Sequence, residues 1–108
     1  MYLLIIFFML ICNSAFSQIQ VTYFNADWNK VNGVKWYDKL EDVQTLSYID
    51  VATQTKMAAK HKIAVIPTII IFKDDIEVAR FQADLSFKMV ATKEEVQEEI
   101  DNQLMSDF

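Results

Sequence analysis

Four residue types that small proteins use for chemistry or for sharp bends are nearly missing here. The 108 residues include one cysteine, one histidine, one proline and one glycine. The cysteine is Cys12, near the N-terminus, so the chain beyond it holds no thiol. That excludes disulfides, thiol catalysis and cysteine-ligated metal from the rest of the chain. His61 has no second imidazole or thiol to share a metal with, and no metal site or cofactor is expected. A single Gly33 and a single Pro67 leave few sharp turns, and no repeat, linker or low-complexity stretch interrupts the sequence. Cations are short too: 10 Lys and Arg stand against 15 Asp and Glu, a net charge of −5. That balance argues against nucleic acid and against anionic membrane surfaces as partners.

What is present starts with Tyr2–Cys12, eleven apolar residues in succession, followed by Asn13-Ser14 and Ala15-Phe16-Ser17. As a helix this run would rise only about 16 Å, about half a bilayer core, too little for a span. The small residues at 15 and 17 suit signal-peptide cleavage. Residues 1–17 are therefore expected to be a signal peptide, although no Lys or Arg precedes the run. Ile11 does not suit lipid attachment at Cys12. Residues 18–108 are expected to form one mature domain, secreted across the inner membrane to the periplasm, with no membrane span left. A domain of this size buries about 60–65% of the surface of its unfolded chain and can fold alone.

Along the mature segment, Ile19–Phe24 mixes alternation with a buried end and reads as a strand. Asn29 suits a helix N-cap. Trp36, Leu40 and Val43 recur at helical spacing and predict a helix of about 12 residues. Leu46–Val51 reads as a second strand, and residues 53–62, with Met57 and Ala58, as a short helix. Pro67–Phe72 is a β-branched apolar run of the kind that sits inside a sheet. Asp74-Asp75 makes an exposed turn, and Ile76–Phe81 alternates cleanly, so a hairpin follows. Thr92-Lys93-Glu94-Glu95 is a capping box, with Val96, Ile100 and Leu104 as the stripe of a last helix. Glu94-Glu95 and Glu98-Glu99 belong to that helix's start and solvated face. The order is βαβαββα: an α/β domain whose central mixed four-stranded sheet is flanked by helices.

Several segments carry a resemblance: Phe24-Asn25-Ala26-Asp27-Trp28, Ile49-Asp50, Ala58 through Ile66-Pro67-Thr68, and Phe72-Lys73-Asp74-Asp75. In that order and spacing the chain resembles the thioredoxin-like superfamily, in a minimal version lacking the first strand and helix. The family pattern is an apolar strand, then Trp-Cys-x-x-Cys opening a helix, then a later Ile-Pro-Thr with a cis proline. Here Trp28 and Ile66-Pro67-Thr68 stand in place, and Asn29 and Asn32 occupy the two cysteine positions. The family's buried acid aligns with Tyr23 and its lysine neighbour with Leu46. The family's chemistry needs a thiolate of lowered pKa at a helix N-terminus and a second thiol one turn on. Amides supply neither, so no catalytic residue and no enzyme is expected.

The resemblance further implies a cis Pro67, a peptide groove in which Ile66 offers its backbone, and Trp28 on its rim. The candidate binding groove is Trp28, Asn29, Asn32, Ile66, Pro67 and Thr68, and the expected partner is a protein or extended peptide. Two alternatives stay open. One is an assembly subunit acting through the edge strand Ile76–Phe81 or the tail Leu104–Phe108. The other is an accessory subunit that presents substrate to the thiols of another protein.

Overall fold

β-Branched and aromatic residues fill two central strands, β1 (Ile19–Asn25) and β3 (Thr68–Lys73), which pair antiparallel in the computed structural model. The structure describes residues 18–106, so the signal-peptide expectation for residues 1–17 lies outside it. Strand β2 (Thr45–Asp50) adds to β1 in parallel, and β4 (Ile76–Gln82) adds to β3 antiparallel, giving the order β2-β1-β3-β4. Helix α1 (Thr55–Lys60) follows β2, and helix α2 (Lys93–Met105) closes the described chain.

The two-residue period of the strands sorts the core into two layers. Ile19, Val21 and Tyr23 of β1 share one face with Ile69 and Ile71 of β3, where Val96 and Ile100 of α2 cover them. Phe24 and Ile70 face the other way, against Ile49, with Met57 of α1 packed on them. Each isoleucine buried in this way contributes about 1.5–3 kcal/mol. Asp74 and Asp75 both take left-handed φ, 52° and 69°, which a two-residue hairpin turn of the favoured twist requires. The capping box forms as well: Glu95 N–H donates to Thr92 Oγ1 at 3.2 Å, and Thr92 N–H to Glu95 Oε1 at 3.0 Å.

The helix expected after Asn29 is absent. Two 3₁₀ segments, Asp27–Asn32 and Tyr37–Lys39, stand in its place. Gly33 (ψ 149°) and Leu40 (ψ 140°) are extended, and Asp42 is left-handed, so the helical path breaks three times. The apolar positions still reach the core: Val34 and Leu40 are buried in it, and Trp36, Tyr37 and Val43 pack against it. Helical spacing was satisfied by turns rather than by a helix. Glycine at 33 answers a close approach, because a Cβ there would lie 3.1 Å from the Lys30 carbonyl and 3.4 Å from the Tyr23 hydroxyl.

Candidate functional site

Strand β1 ends on Tyr23, Phe24 and Asn25, and its last polar side chains start a buried hydrogen-bonded chain. Asn25 Nδ2 donates to the Tyr23 hydroxyl at 3.0 Å, and Asn25 Oδ1 accepts from Asn29 Nδ2 at 3.1 Å. Asn29 Oδ1 in turn accepts from Asn32 Nδ2 at 2.9 Å. The Tyr23 hydroxyl also accepts from the Val34 N–H at 2.9 Å, and Asn29 Nδ2 donates again, to the Phe87 carbonyl at 3.2 Å. Among the described residues no buried side-chain N or O lacks a partner. A polar network satisfied throughout is rigid and specifies one arrangement.

This placement corrects two expectations. Asn29 is no N-cap: Ala26 holds that position without a side-chain cap bond, and Asn29 itself lies inside the 3₁₀ segment at φ −104°. Nor is Asn29 a free groove donor, since it is only 3% exposed and both its N–H groups and its oxygen are engaged. The element after it is a kinked 3₁₀ segment of six residues, so no α-helix N-terminus points at position 29.

Of the remaining candidates, the Ile66, Pro67 and Thr68 side chains are buried and cannot line an open groove. The Ile66–Pro67 peptide bond is cis, Thr68 Oγ1 donates to the Val65 carbonyl at 2.7 Å, and the Pro67 carbonyl accepts from Ala83 N–H at 3.0 Å. Ile66 differs in its main chain. Among the described residues no hydrogen bond engages its N–H or its carbonyl. Trp28 is 63% exposed and Asn32 partly so.

The residues that sequence reasoning missed lie in the loop after β4. Asp84 organises it: its Oδ1 accepts from Ser86 N–H at 2.9 Å, Ser86 Oγ at 2.6 Å and Lys88 N–H at 3.1 Å. These bonds, Ser86 first, hold the Asp84 carboxyl below its ordinary pKa. Phe87 takes a left-handed φ of 65°, and its ring meets Trp28 edge-on at 5.3 Å. Leu85 stands 92% exposed beside it. The loop is tied at both ends of the site, to Pro67 through Ala83 and to Asn29 through Phe87. Alternating apolar residues in Asp84-Leu85-Ser86-Phe87 were the only local signal of it.

On the other side of the asparagine chain, a cleft of about 390 Å³ is lined by Tyr23, Asn25, Asp27, Lys30, Tyr37 and Tyr48. Tyr37 and Tyr48 lie 4.6 and 5.4 Å from the Tyr23 ring. Desolvation, then Asp50, raises the pKa of Tyr48. His61 sits between the rings of Phe24 and Phe72, 5.5 Å from each, and burial lowers its pKa. Among the described residues no cluster of three or more His, Cys, Asp or Glu could hold a metal, and no helix is long and apolar enough to cross a membrane.

Comparison with solved structures gives the architecture its name. A point-mutant thioredoxin of Halobacterium salinarum superposes with a TM-score of 0.64 at 16% identity, covering 81% of this chain and 75% of that one. The fold is thioredoxin-like. Thioredoxin 1 of Thermosipho africanus (TM-score 0.60, 22% identity, 80% and 94% covered) is similar in the same way. So is Fasciola hepatica thioredoxin (0.56, 23%, 88% and 89%). No protein-family model and no curated protein matches the chain. The assembly alternative named two surfaces, the edge strand Ile76–Phe81 and the tail Leu104–Phe108. The edge strand β4 carries the Glu77–Arg80 ion pair at 2.8 Å. Arg80 also caps the end of α1, donating to the His61 carbonyl at 2.7 Å and the Lys62 carbonyl at 3.1 Å. In the tail, Leu104 packs on the core, Met105 is exposed, and residues 107–108 lie outside the described residues.

Proposed function

We propose that this chain is a secreted, redox-inactive thioredoxin-like protein that binds an extended polypeptide at Ile66. The observation that carries the reading is the unengaged main chain of Ile66, next to the Pro67 carbonyl that anchors the loop bearing Leu85 and Phe87. An extended segment laid there exchanges main-chain hydrogen bonds with Ile66, as an added strand does at a sheet edge. Its apolar side chains then meet Trp28, Phe87 and Leu85, a rim of large hydrophobic groups already held outward. Asn32 borders this surface, while Asn29 supports it from within by holding the Phe87 carbonyl.

Redox inactivity rests on the amides at 29 and 32, which are not nucleophiles, and on the absence of any cysteine after Cys12. Secretion to the periplasm rests on the apolar run Tyr2–Cys12 and the small residues that follow it. The test is photo-crosslinking in cells from a probe amino acid at Leu85, with a second probe at Glu98 on the solvated face of α2. A discrete protein adduct from position 85, absent from position 98 and lost with Trp28→Ala, is expected. No adduct from position 85, or equal adducts from both positions, would overturn the reading.

A further inference from the structure

Among the described residues the sheet ends in two edges of unlike character. Edge β4 carries Glu77 and Arg80 and a register irregularity opposite Ile71/Phe72, devices that discourage strand-to-strand association. Edge β2 has none of these from Thr45 to Ile49: no charge, no proline, and an unbroken register with β1 from Gln20–Thr45 to Asn25–Asp50. Leu46 and Tyr48 are 38% and 46% exposed on it. Asn25 accepts from the Val51 N–H at 2.9 Å, which sets the alternation of the parallel ladder. The main-chain groups of Thr45, Ser47 and Ile49 therefore face β1, and those of Leu46 and Tyr48 face outward. Asp74 N–H donating to the Gln18 carbonyl fixes the same parity from the β3 side.

We propose that β2 pairs antiparallel with β2 of a second copy of this chain, about a two-fold axis at Ser47, joining two sheets into one. Three features favour a second copy as the occupant. The outward main-chain groups are self-complementary: Leu46 meets Tyr48 of the second copy as a hydrogen-bonded pair, and the axis repeats it. The side chains match as well, an aliphatic against an aromatic at both pairs. They lie on the face of their β1 partners Val21 and Tyr23, and Tyr48 already packs on Tyr23 at 5.4 Å, so pairing extends the larger core layer across the axis. Charges do not collide along the strand, because Asp50 falls opposite Gln44. The net charge of −5 on each chain opposes association at a distance, so added salt should tighten the dimer rather than loosen it.

The test is sedimentation velocity on the full 108-residue chain from micromolar to millimolar concentration, with amide hydrogen exchange on the same samples. A reversible monomer–dimer equilibrium, tightened by salt, with slow exchange at Leu46 and Tyr48 in the dimer, is expected. The Leu46→Lys, Tyr48→Lys variant places like charges across the axis and should remain monomeric over the whole range. Leu46→Lys with Tyr48→Glu sets opposite charges at the same two pairs and should restore the dimer. Both positions are on the surface, and matching thermal melts confirm that the variants fold. A chain monomeric throughout, or a dimer indifferent to the double lysine variant, would overturn the proposal. Failure of the mixed-charge variant to dimerise would overturn the register. Slow exchange at Leu46 and Tyr48 in a monomer would assign the edge to another segment of the same chain.

Discussion

Replacing Tyr23 with phenylalanine removes one oxygen and keeps the ring, so its cost isolates the bonds that join β1 to the asparagine chain. That oxygen accepts from the Val34 N–H at 2.9 Å and from Asn25 Nδ2 at 3.0 Å, and all three residues are buried. Two buried donors lose their acceptor together, at about 1–3 kcal/mol each, so a total near 3 kcal/mol is expected. Against a typical domain stability of about 5–15 kcal/mol this is a large loss. It corresponds to a fall in Tm of about 12–24 °C for a domain of this size. Tyr37→Phe is the control. Its ring packs 4.6 Å from Tyr23, but its hydroxyl makes no hydrogen bond among the described residues, so the change should stay within about 0.5 kcal/mol. Urea titration followed by tryptophan fluorescence, with an unchanged m value, measures both. A cost below about 1 kcal/mol for Tyr23→Phe, or equal costs for the two variants, refutes the reasoning.

Three other perturbations have defined outcomes. Restoring two thiols with Asn29→Cys and Asn32→Cys should give a thiol at position 29 with a pKa at or above the ordinary value of about 8.5, since burial disfavours the thiolate and no α-helix N-terminus supports it. Thiolate ultraviolet absorbance against pH reads this directly, and a pKa near 7 would contradict the structural account. Acidification should destabilise the fold in two stages. His61 is held below its ordinary 6.5, by burial first and then by Lys60, so the unfolded imidazole takes its proton first. Stability therefore falls as pH drops below about 6.5 and levels off once the folded-state pKa is passed. Glu77, lowered by its hydrogen bond to Arg80, and Asp84 then withdraw theirs as the pH falls below their ordinary 4.5 and 3.8. His61→Gln should remove the upper stage alone in urea titrations across pH. Thr92→Ala breaks the capping box and should cost about 1 kcal/mol by thermal denaturation, with no change at the Ile66 surface.

The strands and the last helix were legible because their signals are local. β3 is a run of isoleucines buried on both faces, Asp74-Asp75 marks the hairpin, and Thr92 with Glu95 announces α2 within four residues. The segment from Asn29 to Val43 was not legible, because the spacing of Trp36, Leu40 and Val43 records which residues meet the core and not the path between them. Gly33 and Leu40 take extended conformations there that the spacing does not report. Asn29 shows the same limit at the site. Its preference for capping is a local property, while its acceptor on Phe87 lies 58 residues away. The motif Ile66-Pro67-Thr68 forms the expected cis bond before β3, but all three residues are buried, and the main chain of Ile66 is what no described residue engages. Phe87 meets Trp28 only through the fold.

Central to the whole reading is the main chain of Ile66 as the contact for an extended polypeptide. The most direct measurement is an NMR titration of the isotope-labelled chain with a reduced, carboxymethylated protein that cannot fold. Saturable shifts of the Ile66 amide, the Trp28 indole N–H and the Phe87 amide, lost with Trp28→Ala, are expected. Shifts confined to other surfaces, or no shift at Ile66 at saturating polypeptide, would contradict the account.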